Sequence, residues 1–97
     1  MSIISDLEEA GRYAKNADYS DDLDDVNYYG SKARRALESI NTRDLDSEVA
    51  DLIARAAKSA KEADHARSVK DGQYYGNKAR KAIQQAIDLL SRRRFAE

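Results

Sequence analysis

The residues of this chain that could carry chemistry are a single histidine and a run of aspartates. His65 ends the segment Glu62-Ala63-Asp64-His65, and a Glu-x-x-His spacing supplies ligands in di-iron helical bundles. Such a centre needs two copies of the motif and two further glutamates. Asn16 and Tyr19 occupy the equivalent positions in the first half of the chain. We therefore expect no metal centre, and we expect His65 to be exposed near a helix end.

Five aspartates lie between Asp18 and Asp25, which raises the question of a calcium site. An EF-hand loop needs ligands at alternating positions, a central glycine and a distal bidentate glutamate. The run has no glycine, and Glu38 is far from it. Carboxylates that cap the start of a helix are the better interpretation. Weak, nonspecific binding of divalent cations stays open.

Other catalytic arrangements also lack their residues. The chain has no cysteine and one histidine, so it offers no thiolate and no second histidine for nucleophilic catalysis. The spacing of the four glycines forms no phosphate-binding loop. We therefore expect no enzymatic activity and no cofactor.

Length and composition favour one small helical domain that spans residues 1–97. The chain has no proline, its net charge is −1, and 36% of its residues are charged. Abundant alanine, leucine, lysine, arginine and glutamate favour helices over strands. The N-terminal residues resemble no secretory signal, and no apolar run approaches the length of a membrane span. These features predict a soluble, cytoplasmic protein without membrane contact.

A repeat organises the chain. The segment 28–37, YYGSKARRAL, returns 46 positions later as YYGNKARKAI, and AKNAD at 14–18 corresponds to AKEAD at 60–64. Apolar residues spaced three and four apart mark two helices in each repeat, 1–43 and 44–97. The predicted fold is all-α, an antiparallel up-down-up-down four-helix bundle built from two repeated helical hairpins. The alternative is that the hairpins open and dimerise with a second chain.

Local signals predict where the helices begin and how they pack. We expect the helix starts near Ser5, Ser20 to Asp22, Thr42 or Asp44, and Ser68, and a helix end near Asn41. Within the helices, Gly30 and Gly76 each cost roughly 1 kcal/mol relative to alanine, which indicates a close neighbouring backbone or ring. We place Tyr29 and Tyr75 in the core.

Charge divides unevenly between the repeats. Residues 1–44 hold six Lys or Arg and ten Asp or Glu, a net charge of −4, whereas residues 45–97 hold eleven and eight, a net charge of +3. In the predicted bundle, the acidic first turn shares one end with Arg67 and Lys70. We expect their attraction to bias how the hairpins pair, although single surface pairs are weak.

The best candidates for partner contact are tyrosines beside cations on the second and fourth helices. They are Tyr28, Lys32, Arg35, Tyr74, Lys78 and Lys81. The leading hypothesis is a noncatalytic protein–protein interaction or scaffold module that acts through a helix face. The repeated decoration suits a symmetric partner or self-association.

Two alternatives stay open. Basic and aromatic side chains together can stack bases and bind phosphates, so the same faces could bind nucleic acid or another polyanion. The acidic balance of the whole chain makes this less favoured. The chain could also be a designed or duplicated bundle without a biochemical partner.

Overall fold

In the computed structural model, residues 2–96 are described, with side chains given for residues 2–92, and they form four α-helices. These are α1 (Ile3–Tyr19), α2 (Leu23–Glu38), α3 (Ser47–Asp64) and α4 (Val69–Ala96). Each helix packs along the helix before and after it, and α1 packs along α4. The bundle measures 44 × 21 × 20 Å. The predicted all-α bundle of two hairpins is therefore confirmed.

None of the helices in residues 2–96 is long and apolar enough to cross a lipid bilayer.

The core is narrow because alanines fill much of it. Small residues at helix contacts let the helix axes approach closely, and the larger side chains fill the remaining volume. The largest fully buried side chains are Leu7, Val26, Leu37, Val49 and Ile83, and fully buried alanines include Ala10, Ala17, Ala33, Ala56, Ala63, Ala79 and Ala86.

Two predicted helix starts are wrong. The one near Ser5 lies too late in the chain, and the one at Thr42 or Asp44 lies too early. Helix α1 begins two residues before the predicted cap, because the Ser2 hydroxyl accepts a 3.1 Å hydrogen bond from the Ser5 backbone N–H. Helix α3 begins at Ser47, where the Asp46 carboxylate accepts from Glu48 N–H at 3.0 Å, and not at Thr42 or Asp44. In both places a neighbouring polar residue of similar capping ability takes the position.

Of the remaining predicted boundaries, the starts of α2 and α4 are confirmed and the end of α2 is wrong. Helix α2 follows Asp22, as expected, but the Asp22 side chain makes no capping hydrogen bond. The Ser68 hydroxyl caps α4 by accepting from Asp71 N–H at 3.1 Å. Helix α2 ends at Glu38, before the predicted end near Asn41. The following Ser39 keeps a right-handed conformation, so no left-handed cap forms at Asn41.

Gly30 and Gly76 lie where helices of different hairpins touch. A Cβ atom on Gly30 would be 2.6 Å from the Asp64 backbone nitrogen, and one on Gly76 would be 2.9 Å from the Asp18 nitrogen. Real Cβ atoms do not approach backbone atoms this closely. The prediction of a close neighbouring backbone is confirmed, and the two glycines fix the contacts α2–α3 and α1–α4.

Tyr29 and Tyr75 are half-buried and do not belong to the core, so their predicted placement is wrong. Each ring meets the ring of the preceding tyrosine edge to face, with centroids 5.2 Å apart at Tyr28 and 5.1 Å apart at Tyr74. The close packing at the glycines and alanines leaves little room for a phenol ring between the helices. The rings therefore lie at the edge of the bundle.

Matching ion pairs join the two hairpins. Arg80 contacts the Asp18 carboxylate at 3.1 Å, and Arg34 contacts Asp64 at 3.2 Å. These residues are related by the same 46-residue offset as the repeat. Neither Arg67 nor Lys70 forms an ion pair with a described carboxylate, so their attraction to the acidic turn stays a prediction. Both stay exposed, where water solvates their charge.

Amide side chains add a second link between the hairpins. The Asn27 amide donates to the carbonyl oxygens of Ala63 and Ala66 at 2.9 and 3.2 Å, at the end of α3. Gln73, the equivalent residue of α4, donates to the Ser20 carbonyl at 2.7 Å, at the end of α1. Each hairpin therefore donates side-chain hydrogen bonds to backbone carbonyls at a helix end of the other.

We expect Asn27→Ala to lower the free energy of unfolding by about 1 kcal/mol, because it leaves two partly buried carbonyls without this donor. Urea unfolding followed by circular dichroism measures the change. Gln84→Ala is the control, since the Gln84 amide bonds only to Asp88 on the exposed surface. The control is expected to stay within about 0.5 kcal/mol of the parent protein. Equal effects in both variants would contradict the role given to Asn27.

Candidate interaction faces on helices α2 and α4

The α2 face consists of Tyr28, Lys32 and Arg35. Their spacing of four and three residues places them on one side of the helix. Tyr28 is 54% exposed, and the Lys32 ammonium lies 5.5 Å from its ring centroid. Arg35 is exposed and forms no ion pair with a described side chain. The structure therefore brings together the three residues predicted on this helix.

The α4 face consists of Tyr74, Lys78 and Lys81 and repeats this geometry. Tyr74 is 58% exposed, and the Lys78 ammonium again lies 5.5 Å from its ring centroid. Lys81 is exposed, and neither lysine pairs with a described carboxylate. The half-buried Tyr75 supports the Tyr74 ring from its edge, as Tyr29 supports Tyr28.

The two faces point to opposite sides of the bundle. Helices α2 and α4 lie across a diagonal, with α1 and α3 between them on either side. The structure therefore does not combine the six predicted residues into one site. It presents two separate surfaces of similar composition, one on each of these two helices.

Each face is suited to recognition. A tyrosine that is held by a neighbouring ring loses little side-chain freedom on binding, and its hydroxyl can donate or accept a hydrogen bond. The lysine over the ring offers a cation to a carboxylate or phosphate while its stem covers the ring. The described side chains of the two faces include no nucleophile with an adjacent base.

A scan of the chain against protein-family models gave no match, and searches of curated proteins and of solved structures gave none either.

The residues considered for metal binding lie apart from both faces. His65 is exposed beside the end of α3, 4.0 Å from the Asp64 carboxylate. Within the aspartate run, Asp18 binds Arg80 and Asn77, and Asp22 precedes α2. In the described part of the chain, no three His, Cys, Asp or Glu side chains come together in a way that could hold a metal ion.

Sequence reasoning missed a third aromatic–cation cluster, which is centred on Tyr19. Its ring is 62% exposed and lies near two cations, with Arg80 Cζ 5.5 Å and Lys15 Nζ 5.8 Å from the ring centroid. Arg80 also holds Asp18, so this cluster belongs to the contact between hairpins. Tyr19 follows Lys15 by four residues, and this spacing was the available signal in the sequence.

Proposed function

We propose that this protein is a noncatalytic interaction module that contacts a partner protein through the α2 and α4 faces. The observation that supports it is the duplicated geometry: an exposed tyrosine with a lysine ammonium 5.5 Å from its ring, on both helices. Tyrosine and arginine are enriched at protein interfaces, whereas exposed aromatic rings contribute little to the stability of a monomer. Two matched surfaces allow the protein to bridge two copies of one partner.

Photo-crosslinking tests this function. A benzoylphenylalanine in place of Tyr28 or of Tyr74 is expected to give the same adduct in lysate from cells that express the protein naturally. Lys32→Glu is expected to remove the adduct formed at position 28, because it reverses the charge beside the ring. The control places the crosslinker at Lys58, an exposed residue of α3, where no such adduct is expected. Adducts that are equally strong at all three positions would contradict the proposal.

The mass of the purified protein decides between a separate partner and self-association. Sedimentation equilibrium of the parent protein and of the Tyr28→Ser/Tyr74→Ser variant is the measurement. A mass of one chain in both samples supports a separate partner. A larger mass that falls to one chain in the variant supports self-association through the two faces.

Binding to nucleic acid is the second candidate function. It is favoured by the cations Arg35, Lys78 and Lys81, which share a helix face with an exposed ring and pair with no described carboxylate. Fluorescence anisotropy of a labelled single-stranded oligonucleotide at low salt is the test. Affinity that falls steeply as salt is added, and falls further in Lys78→Glu, would support this candidate. No binding at low salt would remove it.

A further inference from the structure

A groove runs beside the α4 face in the second hairpin. The groove between α3 and α4 has an open volume of about 250 Å³ and is lined by Leu52, Ser59 and Ala82 with Arg55, Lys78 and Lys81 at its rim. The last two residues belong to the α4 face. The groove is therefore continuous with a surface that the proposed function already uses.

The first hairpin has a tyrosine at the position equivalent to Ser59. The residue 46 positions before Ser59 is Tyr13, which is half-buried and packs against the core. Ser59 carries only a hydroxymethyl group at this position. By the symmetry of the repeat, the α3–α4 groove lacks a phenol ring that the first hairpin carries at the equivalent position. The Tyr13 ring indicates the size and shape of a group that would fit beside Ser59.

The charge at the two places differs as well. The first hairpin has Asp6 and Glu9 where the second has Leu52 and Arg55. Arg55 pairs with Asp51 at 3.0 Å on the exposed surface, so its charge is balanced in part. Lys78 and Lys81 have no described carboxylate partner. The groove therefore combines an apolar floor at Leu52 with uncompensated positive charge at its rim.

We propose that the α3–α4 groove binds an aromatic side chain from an acidic segment of a partner protein. The partner's ring takes the place beside Ser59 that the repeat assigns to the Tyr13 ring, over Leu52 and Ala82. Carboxylates beside that ring in the partner's sequence pair with Lys78 and Lys81. This inference rests on the proposed function, and it gives the α4 face a specificity that the α2 face lacks.

Anisotropy with a short fluorescein-labelled peptide, one tyrosine among aspartates, tests the groove at low salt. We expect the protein to bind it, and to bind a peptide with alanine in place of the tyrosine about tenfold more weakly. Ser59→Tyr is expected to weaken binding of the tyrosine peptide by a similar factor, because the new ring occupies the groove. Ser59→Ala leaves the groove open and is expected to bind as the parent protein does.

The fold of the variants is checked by thermal unfolding. The repeat already accommodates tyrosine at the equivalent position, so Ser59→Tyr is expected to unfold within a few degrees of the parent, on the order of the change expected for a surface substitution. Lys78→Glu/Lys81→Glu leaves the groove empty and reverses the charge at its rim. It is expected to weaken the tyrosine peptide even if Ser59→Tyr alters the fold.

Several results would overturn the inference. Equal binding of the tyrosine and alanine peptides would show attraction by charge alone, and unchanged binding by Ser59→Tyr would place the peptide elsewhere. If Ser59→Tyr weakens binding of an oligonucleotide, the groove binds nucleic acid. If the protein has a mass of more than one chain and this mass falls in Ser59→Tyr, the groove binds a second copy. If the tyrosine peptide does not bind while the crosslinks at positions 28 and 74 form as expected, only this inference is removed. Loss of the position-specific crosslinks removes the proposed function itself.

Discussion

Replacing Gly30 or Gly76 with alanine is expected to lower the free energy of unfolding by about 2 kcal/mol or more, although alanine is the better helix former. The new methyl group on Gly30 would lie 2.6 Å from the Asp64 nitrogen, and that on Gly76 would lie 2.9 Å from the Asp18 nitrogen. Backbone atoms of a packed helix cannot rotate away as a side chain can. The helices must separate, which opens the contact between the hairpins. Urea unfolding of each variant measures the loss.

Gly11→Ala is the matched control for these variants. Gly11 also lies within a helix, but a methyl group there would meet only the Ile83 side chain at 3.5 Å, an ordinary contact distance. We expect this substitution to raise the free energy of unfolding by about 0.5–1 kcal/mol, because alanine loses less backbone entropy on folding. A gain in stability from all three substitutions would show that the close approach at Gly30 and Gly76 is relieved at little cost.

The repeat made the glycines and the two faces predictable. Glycine disfavours a helix, so its return at the same register in both halves needs a common structural reason. For this reason Gly30 and Gly76 indicated close packing. The same logic placed Tyr28 and Tyr74 on the outside with their lysines. What these faces bind stays a prediction, because an exposed ring and a cation fit several classes of partner.

Other features depend on distances that a one-dimensional pattern does not contain. Tyr29 and Tyr75 have the spacing of core residues, but the separation of the helices, set by glycine and alanine contacts, excludes their rings from the interior. The start of α3 is a choice among several polar residues with similar capping ability. The sequence favours a cap in this region, and the packing of the whole helix decides which residue serves.

The repeat is broken where its two copies meet. Val26 and Gly72 occupy equivalent positions, and a Cβ atom on Gly72 would overlap the Val26 side chain. Two valines would therefore collide there, and two glycines would leave a void. Internal symmetry explains most contacts between the hairpins, but at the point of diagonal contact the bundle needs one large and one small residue. Only the packed structure reveals that these two positions face each other.

The ion pairs between the hairpins form at Asp18 and Asp64, and the described residues show none at Arg67 or Lys70. Topology alone places those residues near the acidic turn, but a charge that stays in water gains little from a neighbour. The carboxylate of Asp18 is only 14% exposed and that of Asp64 only 18%, so each needs a partner within reach. Both partners project from the adjacent helix of the other hairpin. The offset that relates Arg34 to Arg80 was the signal in the sequence.

Asp18→Ala is expected to lower the free energy of unfolding by about 2 kcal/mol, and Asp64→Ala by a similar amount. Each change leaves an arginine that is two-thirds or more buried without its carboxylate. The Nε atoms of Arg34 and Arg80 already have no hydrogen-bond partner, so the remaining cation is poorly satisfied. Loss of one member of a fully buried pair costs more, and partial exposure reduces that cost here.

A double-mutant cycle separates the pair from its surroundings. Asp18→Ala/Arg80→Met removes both charges and keeps an apolar stem against Tyr19, so it is expected to cost less than the two single changes together. The control cycle uses Asp51 and Arg55, which are 57% and 71% exposed on one helix and are expected to couple by about 0.3–0.5 kcal/mol. Coupling at Asp18 and Arg80 that is no larger than this would mean that the ion pairs do not hold the hairpins together. The close backbone contacts at Gly30 and Gly76 would then determine the pairing by themselves, and the substitutions at the glycines would remain the more damaging ones.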